Sequence, residues 1–129
     1  MNGSFLLDTS VIIGLLRLEA TVLERLASIG RPYVSTIALG ELCFGALLSR
    51  QPQETLAAIE LLAADYPLLT PDASTALRYG RIKAALRQRG KPIPENDVWI
   101  AALAVQHGLT LASRHAHFNE LDGLSIEVW

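Results

Sequence analysis

The sequence predicts an α/β fold: a three-layer α/β/α sandwich around a short parallel sheet of four or five strands, in one domain over residues 1–129. Three observations predict it. Apolar runs of strand length, among them Phe5-Leu6-Leu7, Tyr33-Val34-Ser35 and Leu109-Thr110-Leu111-Ala112, recur along the chain. These runs lack strict polar alternation, as strands covered on both faces do. Segments of helical periodicity separate them, which implies crossover connections and helices on both sides of the sheet.

Phe5-Leu6-Leu7 reads as a buried strand with Asp8 at its carboxyl end. Ser10 is the expected N-cap of a helix through Val11 to Arg17. A second helix is expected from Thr21 to Ser28, stopped by Gly30 and Pro32. Tyr33 to Ser35 is the second strand. Ile37, Glu41, Phe44 and Leu48 recur at helical spacing and predict a helix from Ile37 to Leu48. Pro52 opens the next helix, from Gln53 to Ala64. Tyr66 to Thr70 reads as a third strand, and Asp72 as the cap of a long helix reaching Gln88 or Arg89. Glu95 to Gln106 is apolar on most sides and so predicts a buried helix, with Trp99 in the core. His107-Gly108 ends it. Leu109 to Ala112 and Ser125 to Val128 complete the strands. In such sheets the functional site lies beyond the carboxyl ends of the strands, which points to Asp8 and to Ser113-Arg114-His115.

Half of the residues are apolar and the formal charge is −2, which describes a folded domain and not a protein that coats nucleic acid by bulk charge. The lone cysteine, Cys43, provides no disulfide framework and agrees with a cytoplasmic location. No basic region precedes the first apolar run, so a signal peptide is not expected there. Val98 to Val105 is too short to span a membrane.

Of thirteen acidic residues, three stand in apolar surroundings. Asp8 lies between Phe5-Leu6-Leu7 and Val11-Ile12-Ile13. Glu41 is the sole charge between Pro32 and Arg50. Asp97 leads directly into Val98-Trp99-Ile100. Each has a structural alternative: Asp8 as a helix cap, Glu41 paired with an arginine, Asp97 as a favourable charge at a helix N-terminus. Taken together they suggest a cation site, because uncompensated carboxylates brought close repel and one would take up a proton. Oxygen ligands suit Mg²⁺ and Mn²⁺, and such a centre is suited to phosphodiester hydrolysis. Six basic residues, Arg78, Arg81, Lys83, Arg87, Arg89 and Lys91, fall in a stretch with no acid that runs into Asn96-Asp97. They read either as a phosphate-binding wall or as a solvated helix face.

The chain resembles the PIN-domain ribonucleases, specifically the VapC-type toxins of toxin–antitoxin pairs. The resemblance covers essentially the whole length. It rests on Leu7-Asp8-Thr9-Ser10, on Ser35-Thr36-Ile37-Ala38-Leu39-Gly40-Glu41-Leu42, on Asn96-Asp97-Val98-Trp99-Ile100-Ala101-Ala102, and on Gly123-Leu124-Ser125-Ile126-Glu127-Val128-Trp129. The resemblance implies a metal-dependent endoribonuclease with Asp8, Glu41 and Asp97 as its catalytic and metal-holding acids and Mg²⁺ or Mn²⁺ as cofactor. It further implies supporting hydroxyls at Thr9, Ser10 and Ser113, an RNA substrate, a homodimer and a cognate antitoxin. RNA contacts are expected from Arg81, Arg87, Arg89, Lys91 and Arg114.

The sequence departs from the family pattern at Ser113-Arg114-His115-Ala116-His117-Phe118, where His115 stands in place of a fourth acid. His115 either joins the metal ligands, contacts a phosphate, or does neither. The departure supports an alternative function, a catalytically weakened nucleic-acid-binding or interaction module. A phosphoacceptor domain would need a lysine near a late strand, and none follows Lys91. A dehalogenase-type phosphatase would need an acid at position 10, which is Ser. The apolar surplus on the helices around Val11–Leu18 and Ile37–Leu48 suggests a groove or patch for a partner.

Overall fold

The apolar runs form the strands of one five-stranded parallel sheet. The computed structural model describes residues 4–129, and for Glu120 the backbone alone. The strands are β1 (Phe5–Leu7), β2 (Tyr33–Ser35), β3 (Leu68–Leu69), β4 (Thr110–Ser113) and β5 (Ser125–Val128), in the order β3-β2-β1-β4-β5. β1 pairs with β2 on one side (Leu7 beside Val34) and with β4 on the other (Leu7 beside Ala112). Crossovers from β1 to β3 step one way along the sheet, and the connection to β4 steps back across β1. With right-handed connections this reversal puts helices on both faces. It also opens a crevice at the carboxyl ends of β1 and β4.

Six helices connect the strands: α1 (Thr9–Leu16), α2 (Ala20–Ala27), α3 (Thr36–Leu47), α4 (Pro52–Asp65), α5 (Ala73–Gln88) and α6 (Glu95–His107). α5 starts at a capping box, in which Asp72 Oδ1 accepts from Thr75 N at 3.0 Å and Thr75 Oγ1 accepts from Asp72 N at 2.9 Å. α6 buries Val98, Ile100, Ala101, Ala102, Leu103 and Ala104, so small side chains let it lie tight in the core. Gly108, at φ +63°, ends α6 in the left-handed region that glycine tolerates, and the chain enters β4 two residues later. Gly14 permits a close approach: a Cβ there would meet Arg114 Nη2 at 2.8 Å and Val22 Cγ2 at 2.9 Å.

Three expectations need correction. Ser10 is not the N-cap of α1. The helix starts at Thr9 with Asp8 in the cap position, and the Ser10 hydroxyl donates to Asp8 instead of bonding the helix backbone. β3 is two residues long rather than Tyr66–Thr70. Pro67 has no N–H for a ladder and contributes only its carbonyl, which accepts from Val34 N at 3.0 Å. Trp99 is half-buried rather than core, its indole stacked on the Tyr79 ring of α5 at 4.1 Å between centroids. A 3-10 helix at Ala116–Glu120, between β4 and β5, has no counterpart in the sequence reading.

Candidate active site

Asp8 follows β1 directly, and its backbone N–H continues the ladder by donating to Ala112 O at 2.9 Å. That bond turns the side chain into the crevice, where only 1% of the residue is exposed. A buried carboxylate requires donors. Two hydroxyls supply them, Ser113 Oγ at 2.7 Å and Ser10 Oγ at 2.9 Å, both to Oδ2. These hydroxyls are held in turn, since Ser113 Oγ accepts from His115 N at 3.0 Å and Ser10 Oγ from Arg114 N at 3.2 Å. Ser10 and Ser113, both expected from the sequence to lie near the acids, thus bond the same oxygen of Asp8. Thr9 serves a different acid, with Oγ1 donating to Glu41 Oε1 at 2.8 Å.

Glu41 reaches the crevice from the middle of α3, nearly two helical turns beyond the Ser35 cap, whose Oγ accepts from Ala38 N at 3.0 Å. Asp97 lies in the first turn of α6 and is 8% exposed. Burial raises the Asp97 pKa above the ordinary carboxylate range, and the facing charge of Asp8, with a smaller push from Glu41, adds to it; His117 opposes. The three acids therefore share one electrostatic field. They also share one pocket of about 490 Å³, lined by Asp8, Thr9, Ser10, Ile13, Glu41, Pro94, Asp97, Arg114, His115 and His117.

His117 was not singled out by the sequence reading, yet it makes the direct contact: its Nε2 lies 2.8 Å from Asp97 Oδ2. His115, the expected substitute for a fourth acid, is exposed at the rim, with its ring nearly parallel to that of His117 (5.1 Å between centroids, 9° between planes).

Arg114 lines the same pocket and is held by Glu19, its Nη2 donating to Oε1 at 2.6 Å. Arg81, Arg87, Arg89 and Lys91 are not among the lining residues. Arg89 pairs with Asp122, and Arg81 shares a separate hollow with both. Arg87 borders a small apolar hollow with Lys83, Pro92 and Ile93. Lys83 is paired with Glu95 at 2.7 Å.

The donor set is oxygen-rich and fits a hard divalent cation: three carboxylates line one pocket, burial and the facing Asp8 raise the pKa of Asp97, and hydroxyls orient the other two. Among the described residues no three acid, histidine or cysteine side chains are already drawn into ligating geometry. A second cavity of about 500 Å³ runs between α1, α3 and α4. It shares Thr9, Ile13 and Glu41 with the acid pocket, and Leu16, Leu42 and Ile59 supply apolar walls.

Comparison with known proteins bears on this arrangement. Residues 5–124 match the PIN domain family. The chain is 35% identical over 128 residues to a protein of Haemophilus influenzae named ribonuclease VapC2, with 97% of each chain covered. It is 34% identical, again with 97% of each chain covered, to a Shigella flexneri protein named tRNA(fMet)-specific endonuclease VapC. A crystal structure of DNA-bound VapBC from Salmonella typhimurium superposes with a TM-score of 0.91 at 31% identity, covering 100% of this chain and 99% of that one. With the family matched over almost the entire chain and near full-length relatives above 30% identity, this chain belongs to the PIN-domain family, in its VapC group.

Proposed function

We propose that the protein is a divalent-metal-dependent endoribonuclease, the toxin of a toxin–antitoxin pair. The observation that carries this is the convergence of Asp8, Glu41 and Asp97, from β1, α3 and α6, on one pocket in which Asp97 senses the charge of the other two. The names of the Haemophilus and Shigella relatives point to RNA, and that of the Shigella relative to a tRNA.

Asp8, Glu41 and Asp97 would hold Mg²⁺ or Mn²⁺. When bound, the cation supplies an acidified water and neutralises charge developing on the phosphate. The side chains do the rest. Ser10 and Ser113 fix Oδ2 of Asp8, and Thr9 fixes Oε1 of Glu41. His117 does the same for Asp97. Arg114, kept at the rim by Glu19, offers a guanidinium to a phosphate oxygen entering the pocket. The basic residues of α5 and the following loop, Arg81, Arg87, Arg89 and Lys91, extend that cationic surface to more distant phosphates. His115 adds no carboxylate, so a second cation would be held less firmly than at a four-acid site.

An antitoxin is the expected protein partner, since the Salmonella neighbour is a VapBC assembly. The groove between α1, α3 and α4 suits an amphipathic helix, being apolar along its walls and ending at Glu41. A homodimer would cover exposed apolar side chains, of which Phe44, Leu47 and Leu48 at the end of α3 form the densest run. The alternative of a weakened binding module is disfavoured by the retention of all three acids, each with its orienting hydroxyl or imidazole.

The test is cleavage of single-stranded and structured RNA by the partner-free protein with Mg²⁺, Mn²⁺ or EDTA. Cutting that needs the cation and falls at least about a hundredfold in Asp97→Asn supports the proposal. Well-folded protein that cuts no RNA with either ion would favour the binding module.

A further inference from the structure

We propose that His115 is a base-stacking ledge at the mouth of the active site, on which a nucleobase next to the scissile phosphate stacks. The proposal rests on the ribonuclease reading above and adds a substrate subsite to it.

Phe118 is fully buried and pins the 3-10 helix to the body of the protein. The His117 ring leans on it, 4.7 Å between centroids and tilted by 48°, and is held from the other side by Asp97. The His115 ring lies almost parallel to His117. Its backbone is fixed independently by the bond from His115 N to Ser113 Oγ. Three rings thus step outward from the core to the pocket rim, and the last of them is exposed. An exposed imidazole on a flexible loop would lose entropy on stacking. One already oriented by a neighbouring ring and an anchored backbone loses little.

The position suits a base rather than a phosphate. His115 borders the pocket that holds the acids, while Arg114 beside it carries the fixed positive charge. A phosphate drawn to the acids and Arg114 brings its flanking base to the rim, where a flat ring face can receive any base. Stacking needs neither a particular protonation state of the imidazole nor a nitrogen lone pair. This separates it from metal ligation.

The test uses an RNA hairpin carrying 2-aminopurine at successive loop positions. It is bound to the partner-free full-length protein at low salt, with Ca²⁺ as the cation to hold turnover down. At one position the wild type is expected to quench the fluorophore. His115→Ala is expected to abolish the quench and weaken binding about tenfold. His115→Phe, which stacks but cannot ligate, is expected to restore both, with Mn²⁺ affinity by calorimetry equal to wild type. His115→Phe behaving like His115→Ala, Mn²⁺ binding lost in both variants, or an unchanged quench in His115→Ala each overturns the ledge while leaving the ribonuclease reading in place. Failure of wild-type protein to bind the hairpin at all overturns the ribonuclease reading and the ledge together.

Discussion

Asp97 is the side chain on which stability and activity pull in opposite directions. Burial and the facing Asp8 raise its native pKa above its value in the unfolded chain. The native state therefore holds its proton more tightly, and stability falls as pH rises from the ordinary carboxylate range through the raised native value. In EDTA, Asp97→Asn should unfold at a higher temperature than wild type at pH 7. The two melting temperatures should converge below about pH 3, where the unfolded carboxyl also carries its proton. Thermal melts across that range with chelator, then with Mn²⁺, check both the sign and its cancellation by a cation.

His117 acts through Asp97. When Asp97 is ionised its carboxylate accepts only, so Nε2 then carries the hydrogen in the 2.8 Å contact and the imidazole orients Oδ2. His117→Ala should lower cation affinity and cleavage by about tenfold to a hundredfold, the usual cost of losing a group that orients a metal ligand. His117→Gln, which can present an amide N–H, should recover part of both. Equal losses in the two variants, measured by calorimetry, would show that packing on Phe118 is what matters.

Two positions at the α1–α2 junction show how backbone requirements constrain an element. Gly14 sits where a methyl group would meet both Arg114 and Val22, and Val22 is fully buried and cannot swing away. Gly14→Ala should destabilise by about 1–3 kcal/mol in urea unfolding. Leu18, in the link between the helices, has φ +56° and is 73% exposed, so it bears left-handed strain without the reward of burial. Leu18→Gly should stabilise by about 0.5–1 kcal/mol, since the strain is removed and no core contact is lost. A Leu18→Gly protein less stable than wild type would indicate that the leucine is covered in the assembled protein.

For the molecule as a whole, charge is distributed rather than abundant. A chain of net charge −2 must attract RNA through local fields, and two basic residues in and just after α5 are already engaged by acids, Lys83 by Glu95 and Arg89 by Asp122. Arg87 is the clearer probe. Charge reversal in Arg87→Glu should weaken RNA binding across all sequences and make the salt dependence shallower by about one phosphate contact. Anisotropy titrations at several salt concentrations read the slope. A parallel shift with no change of slope would assign Arg87 to the solvated face. No helix among the described residues is long and apolar enough to cross a membrane.

The order of strands and helices, the capping of α5 by Asp72 and the three acids were all legible in the linear chain. Each is encoded locally: apolar runs, helical spacing, and carboxylates set where nothing else is charged. Glu41 stood out because a solvated helix carries several charges and this one carries a single acid. The boundary of β3 was less legible because Pro67 limits the ladder only through what lies beside it, and Trp99 because stacking on Tyr79 depends on how α5 docks against α6. His117 could not be chosen over His115 from sequence. The two are two residues apart in one short segment, and a 3-10 turn of five residues has no periodic signature. With Phe118 buried, one ring meets Asp97 and the other lies at the rim. Local residue chemistry thus determined which groups could do the work, and tertiary packing decided which atoms meet, because contact between side chains far apart in sequence depends on the orientation of whole elements.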